Sequence, residues 1–286
     1  MKNLIKSTIA VVLFIFSGTI HAQKKSPKLE NALLWEVSGN GLSKPSYLYG
    51  TIHMICSSDY FLSDKTKKAF EASEKLVLEI DMSDPKEMTD LQQMAMGKEP
   101  LSKTLSPENL SKLDNVLKSN GMTVQQLDNF KLFTIMSLIS MKSFGCNDLK
   151  FYEMNFIETA KQRKLPIIGL ETVNSQMEAF AKSYTDTEMI DALKESSTEE
   201  TAKLVAAYKK ENVTSLYEII TDKKNMNDKT RKQILDSRNL NWVNNMPQMM
   251  KNESVFFAFG SAHLGGEYGV INLLRQAGYS VKPIMN

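Results

Sequence analysis

The chain has 286 residues, 42% hydrophobic and 24% charged, with only 8 Pro and 13 Gly, which excludes a disordered or collagen-like polymer. Lys and Arg number 35 against 33 Asp and Glu, and a net charge of +2 gives no basic excess for binding nucleic acid. A globular protein of one or two domains with a large core remains.

Residues 1–22, MKNLIKSTIAVVLFIFSGTIHA, open with Lys2 and Lys6 and continue into a mostly apolar stretch from Ser7 to Ile20. That stretch is shorter than the roughly 20 residues a membrane-spanning helix needs. It reads as a secretory signal cut after Ala22, with an uncleaved anchor as the alternative. Export to a bacterial periplasm or the extracellular space is therefore expected, with no stable membrane insertion after cleavage. The remaining 264 residues carry 33 basic and 33 acidic side chains, and their histidines are His53 and His263. Cys56 and Cys146 are the two cysteines, and an exported chain can join them in a disulfide; two buried thiols are the alternative.

Residues 23–32 read as a flexible polar lead-in, and 33–286 as one folded domain. Strands are predicted at LLWEVSG (33–39) and within PSYLYGTIHM (45–54), a helix at 65–75, and a strand at LVLEIDM (76–82). Residues 85–150 turn helical, with Ser106 as an N-cap and Gly121 as a stop. The 17 methionines at helical spacing read as core filler. A helix over 152–164 leads to the strand LPIIGLET (165–172), and 175–245 is again helical. The chain closes with the strand ESVFFAFG (253–260), a helix over 269–278 and the strand YSVKPI (279–284). The fold class is thus α/β: two similar halves, each a strand-GxxH-helix unit, with helical insertions at roughly 85–150 and 175–245.

One pattern occurs twice. Tyr49-Gly50-Thr51-Ile52-His53 returns 210 residues later as Phe259-Gly260-Ser261-Ala262-His263. Glycine at a strand end permits a sharp turn or a close approach, so Gly50 and Gly260 are structural candidates. Loops at the carboxyl ends of strands are where open α/β sheets place ligands. Two such units packed about a pseudo-twofold axis would aim both imidazoles into one cleft, where each is a good ligand for Zn, Mn, Fe or Co, or a good base. The plainer alternative is that each His is a half-buried strand-end residue bonded to backbone. Glu79, inside an apolar strand, and Glu171, at the end of another, are costly to bury unpaired and should face a cation, a polar network or the rim. Glu153 at a helix start can reach the same rim or simply favour the helix N-terminus.

GTIH, LVLEID about 25 residues on, GLET followed by Gln176, and the closing FGSAHLGGEYGVINLLRQAGYSV together resemble the TraB/PrgY/GumN family. That family is similar to the Tiki proteases and, more distantly, to erythromycin esterase and ChaN-like proteins. The resemblance runs from about 33 to 284. It implies a metal-dependent hydrolase acting on peptide or protein substrates. On it, His53 and His263 are metal ligands, with Glu79 or Glu171 as a third and the other as base. The ion would be Mn, Co or Zn. Arg238, in SRNLNW, would stabilise developing charge, and Gln176 and Glu153 would contact substrate. A non-catalytic module that sequesters a peptide or small ligand in the same cleft is the alternative. No G-x-S-x-G, G-x-G-x-x-G or H-E-x-x-H is present.

Overall fold

A computed structural model describes residues 28–195 and 197–285. The expected signal segment, 1–22, lies outside the described residues, as does the lead-in up to residue 27. The described end of that lead-in is tied down: Leu29 and Ala32 are buried in the core, and the Ala32 carbonyl accepts from Trp35 Nε1 at 2.8 Å.

Eight strands form among the described residues: β1 (Leu34–Ser38), β2 (Ser46–Thr51), β3 (Met54–Cys56), β4 (Lys75–Leu78), β5 (Leu149–Phe151), β6 (Ile167–Gly169), β7 (Val255–Gly260) and β8 (Ser280–Pro283). Six make one sheet in the order β6-β4-β7-β2-β1-β8. The neighbours β6, β4, β7 and β2 run parallel, while β1 is antiparallel to both β2 and β8. All six residues of β7 are buried, as an apolar run covered on both faces requires.

Each G-x-x-H strand begins a β-α-β unit. From β2 the chain passes through the helix Asp64–Glu71 to β4, across β7; from β7 it passes through Val270–Gln276 to β8, on the opposite side of β2. The two units leave the sheet centre in opposite directions, so the strand order reverses between β7 and β2. The right-handed crossover rule then sends their helices to opposite faces. The contacts agree: Phe70 of the first helix packs against Phe256 on one face, whereas Arg275 of the second lies over Trp35, which is in register through Leu48 with Phe257 and so on the other. The α/β class is thereby realised as a sheet with a topological switch at its centre.

Between β4 and β5 lie Pro85–Ala95, Leu101–Thr104, Pro107–Ser119, Val124–Leu127 and Leu132–Ser143. Ser106 caps the third of these, accepting from Asn109 N at 3.2 Å, and Gly121 follows its end with φ +69°, as expected. Further helices, Val173–Ser183 through Val213–Ile220, follow β6. Leu113, Leu117, Ile135, Ile139 and Ile190 give this helical part an apolar core of its own, apart from the one around the sheet. A wide π-turn, Lys232–Asp236, runs directly into the long helix Ser237–Met250.

The short ladder β3–β5, absent from the sequence reading, places Met54 opposite Phe151. The Cys56–Cys146 disulfide closes beside it, with Cα atoms 6.0 Å apart. No helix among the described residues is long and apolar enough to cross a membrane.

Candidate functional site

Four neighbouring parallel strands end on one rim, and each delivers a polar side chain there. Glu171 follows β6, Glu79 follows β4, His263 follows β7 and His53 follows β2. The rim lies where the strand order reverses, the usual place for a ligand in an open α/β sheet. The strand holding Glu79 stops at Leu78 rather than continuing to Met82, so the carboxylate stands just past its end instead of inside it.

The glycines serve close approach rather than turning. A Cβ on Gly50 would lie 2.6 Å from Leu264 Cδ1; one on Gly260 would lie 2.8 Å from His53 Nε2 and 3.3 Å from Glu79 Oε1. The turn falls on His53 itself, at φ +60°, a left-handed conformation found for few non-glycine residues and concentrated at functional sites. It is held from both ends: His53 N donates to Thr51 Oγ1 at 3.2 Å, and Tyr152 N donates to the His53 carbonyl at 2.9 Å.

Glu153 opens the helix Tyr152–Gln162, so its position also suits the helix N-terminus. Its Oε1 accepts from Thr51 Oγ1 at 2.6 Å and meets His53 Nδ1 at 2.9 Å. The His53 ring leaves 56% of its surface open to the cleft. Its contact with the protein disfavours charge, but the Glu153 carboxylate and then Glu79 outweigh that and raise its pKa to about 9. His263 is the opposite case. Burial, then the neighbouring guanidinium of Arg238, lower its pKa to about 3.

Arg238 links the acidic groups. Its Nη2 donates to Glu79 Oε2 at 2.6 Å and to Glu171 Oε1 at 2.5 Å, and Nε donates to Glu171 Oε1 at 3.0 Å. Nη1 bonds the Ile234 carbonyl within the π-turn at 2.7 Å and reaches His263 Nε2 at 3.2 Å. Gln176 Nε2 bridges Glu79 Oε2 at 3.1 Å and Glu171 Oε1 at 3.0 Å. Thr172 caps the helix Val173–Ser183, fixing Glu171 just before it and Gln176 in its second turn. Burial works against the Glu79 carboxylate. Arg238, the two imidazoles and the Gly260 N–H at 2.8 Å nonetheless hold its pKa well below the usual carboxylate range.

Glu79 Oε1 lies 3.8 Å from His53 Nε2 and 3.8 Å from His263 Nε2. Two imidazole nitrogens and a carboxylate oxygen are the right donor chemistry for Mn, Co or Zn. Once an ion displaced the proton of His53, Glu79, Glu153 and Glu171 counted against Arg238 would leave two negative charges for a divalent ion to offset. The donor set therefore fits such an ion in type and charge. Among the described residues, however, no group of three His, Cys, Asp or Glu is drawn close enough to be a preformed site. The Arg238 guanidinium stands on the His263 nitrogen that an ion would use.

The rim opens into a cavity of about 690 Å³. Its floor is His53, Glu79, Gln176, Arg238, Gly260 and His263; its walls come largely from the helical part, with Met54, Met136, Met141, Met177, Met226, Phe133 and Phe180 among them. These methionines, expected as core filler, line the cleft wall instead. Asn239 and Trp242 lie in the same SRNLNW segment as Arg238, where Asn239 completes an Arg-Asn pair and Trp242 reads most simply as a core anchor; neither reading predicts the contacts they make. Asn239 Oδ1 meets His263 Nδ1 at 2.5 Å, and the Trp242 and His263 ring centroids are 4.4 Å apart. Polar residues on an amphipathic helix carry no local signal of such a contact.

The family model for TraB/PrgY/gumN matches residues 33–283. The chain is 24% identical to "Metalloprotease TIKI2" of Danio rerio over 90% of its own length and 62% of that protein's. It is 23% identical to "Metalloprotease TIKI1" of the same fish, over 88% and 63% respectively. It thus spans less than two thirds of the curated relatives it matches.

Proposed function

The chain belongs to the TraB/PrgY/gumN family, and from that premise we propose that it is an exported, divalent-metal-dependent hydrolase of peptides or proteins. The observation that carries this reading is the convergence of His53, Glu79 and His263 at a strand-order reversal, on the floor of a large cleft. His53, His263 and Glu79 would hold the ion; the two 3.8 Å approaches favour Glu79 over Glu171 as the third ligand. A bound divalent ion polarises a carbonyl and makes water acidic enough to attack at neutral pH.

The protein's own groups supply the rest. Glu153 orients His53 through Nδ1, leaving Nε2 toward the cleft. Glu171 is the candidate base, and Arg238 holds it beside Glu79 while offering a fixed positive charge to an oxyanion. Gln176 keeps the two carboxylates apart and in register. The methionine-rich walls suit apolar side chains of an extended substrate, since flexible thioether chains repack around varied shapes.

The test is a peptide library read by mass spectrometry, with and without added Mn²⁺ or Co²⁺, on protein purified without a His tag. Cleavage that needs the ion and vanishes in His53→Ala/His263→Ala supports the reading. Metal content and peptidase activity unchanged in that double variant overturn it. A second reading, peptide capture without turnover, is favoured by one observation: Arg238 sits at 3.2 Å on His263 Nε2, where an ion would bind. Peptides retained intact, with or without metal, would establish that reading instead.

A further inference from the structure

We infer that Asn239 is a positioning residue that fixes the tautomer of His263, keeping the proton on Nδ1 and an unprotonated Nε2 facing Glu79. Asn239 Nδ2 donates to the Tyr268 carbonyl at 2.8 Å and approaches the His263 carbonyl at 3.4 Å. Both partners are acceptors only, so the NH₂ end of the amide is committed to them and the oxygen must face the imidazole.

Asn239 Oδ1 lies 2.5 Å from His263 Nδ1. An amide oxygen has no proton to give, so Nδ1 must be the donor. A second group reaches the same conclusion from the far side of the ring. Arg238 Nη1 lies 3.2 Å from Nε2, and a guanidinium can only donate, so Nε2 must present its lone pair. The Trp242 ring, 4.4 Å away between centroids and tilted by 36°, packs on the imidazole and resists its rotation. The side chain is buried, so water cannot substitute for either partner.

Arg238, Asn239 and Trp242 thus hold His263 at Nε2, at Nδ1 and on the ring face, and all three come from the first turns of the helix Ser237–Met250. A lone pair at Nε2 is what a cation or a transferred proton would need there. A neutral imidazole with Nε2 protonated would serve neither, and which nitrogen carries the proton is set by the hydrogen bond at the other. The catalytic consequence rests on the hydrolase reading; the tautomer itself does not.

The experiment is long-range ¹H–¹⁵N correlation of imidazole signals at neutral pH, on the intact metal-free protein. The sequence has three histidines, and His53→Gln completes the assignment. The wild-type protein is expected to show His263 with Nδ1 protonated, Nε2 bare, and a downfield, slowly exchanging Nδ1–H. Asn239→Leu removes the acceptor and is expected to abolish that proton signal and the unprotonated character of Nε2. Asn239→Asp restores an acceptor and is expected to keep the proton on Nδ1. Wild-type His263 protonated on Nε2 overturns the inference, as does an Asn239→Leu spectrum that matches wild type. If Asn239→Leu does not fold, the wild-type and Asn239→Asp spectra decide. In turnover, Asn239→Leu is expected to lower kcat by about 10- to 100-fold at unchanged KM, with partial recovery in Asn239→Asp. An inactive wild type showing the expected tautomer would defeat the hydrolase reading and leave the positioning role standing.

Discussion

The two histidines of the cleft lie close to one carboxylate yet are driven to opposite charge states. His53, raised from 6.5 to about 9, binds its proton more tightly in the folded chain than in the unfolded one. The stability it contributes is complete below pH 6.5 and is lost as pH rises through about 9. His263, lowered from 6.5 to about 3, works the other way: the unfolded chain takes up the proton first, so stability falls as pH drops from 6.5 toward about 3. Together they place the greatest stability of the site near pH 6.5. Urea unfolding across pH is expected to show His53→Gln flattening the alkaline limb and His263→Gln the acidic one. A His53→Gln profile that keeps the wild-type alkaline slope would refute this account. Much of the cleft floor is legible in the sequence, because carboxylates and imidazoles at the ends of apolar strands are conspicuous. Asn239 is legible only as the neighbour of Arg238 in SRNLNW; its contact with His263 is not, because an Asn on a helix looks like any solvated position until the fold sets a histidine beside it.

The β3–β5 ladder and its disulfide tie the turn at His53 to the start of the helix that carries Glu153. Pairing Met54 with Phe151 brings the preceding His53 beside Tyr152 and Glu153, so the strand pair sets the distance between the imidazole and its carboxylate. The Cys56–Cys146 link closes a separation of 90 residues that contains the helical segment from Pro85 to Ser143. In the chain-entropy account a loop of that length stabilises by about 4–5 kcal/mol. Cys56→Ser/Cys146→Ser is therefore expected to lose stability of that order in urea, and to lower the His53 pKa toward 6.5 as its bond to Glu153 loosens. An unchanged imidazole titration by NMR would show that the ladder holds the pair unaided. The cysteine pairing is one of two options open from the sequence, and the ladder leaves no mark there, since three-residue strands have too few positions for alternation to register. The π-turn before Arg238 is silent for a similar reason: residues 232–236 read as ordinary helix, and only the Ile234 carbonyl bonded by the guanidinium reveals the widened turn.

Across the whole molecule, the sheet supplies the polar floor of the cleft and the helical part supplies most of its apolar wall. Under the proposed function, this division assigns chemistry to one part and selection to the other. Phe180→Ala, on the wall, is expected to raise KM for substrates with bulky apolar side chains by about tenfold at unchanged kcat, the mark of lost uniform binding. A matching fall in kcat instead would place Phe180 in the chemistry. The α/β class and both G-x-x-H units were readable because each strand is a short apolar run with a glycine at or next to its end. The order β6-β4-β7-β2-β1-β8 was not, because it depends on pairings between segments up to about 250 residues apart. Such pairings leave no local trace.

That order also governs when the rim can assemble. β7, residues 255–260, sits between β4 and β2, so strands 46–51 and 75–78 meet only through a segment translated long after both. A ribosome-bound chain short of that point has His53 and Glu79 on two disconnected edges, with neither His263 nor a common rim. The sheet then closes around its late arrival, and the polar cluster on its rim comes together only once that segment has been made.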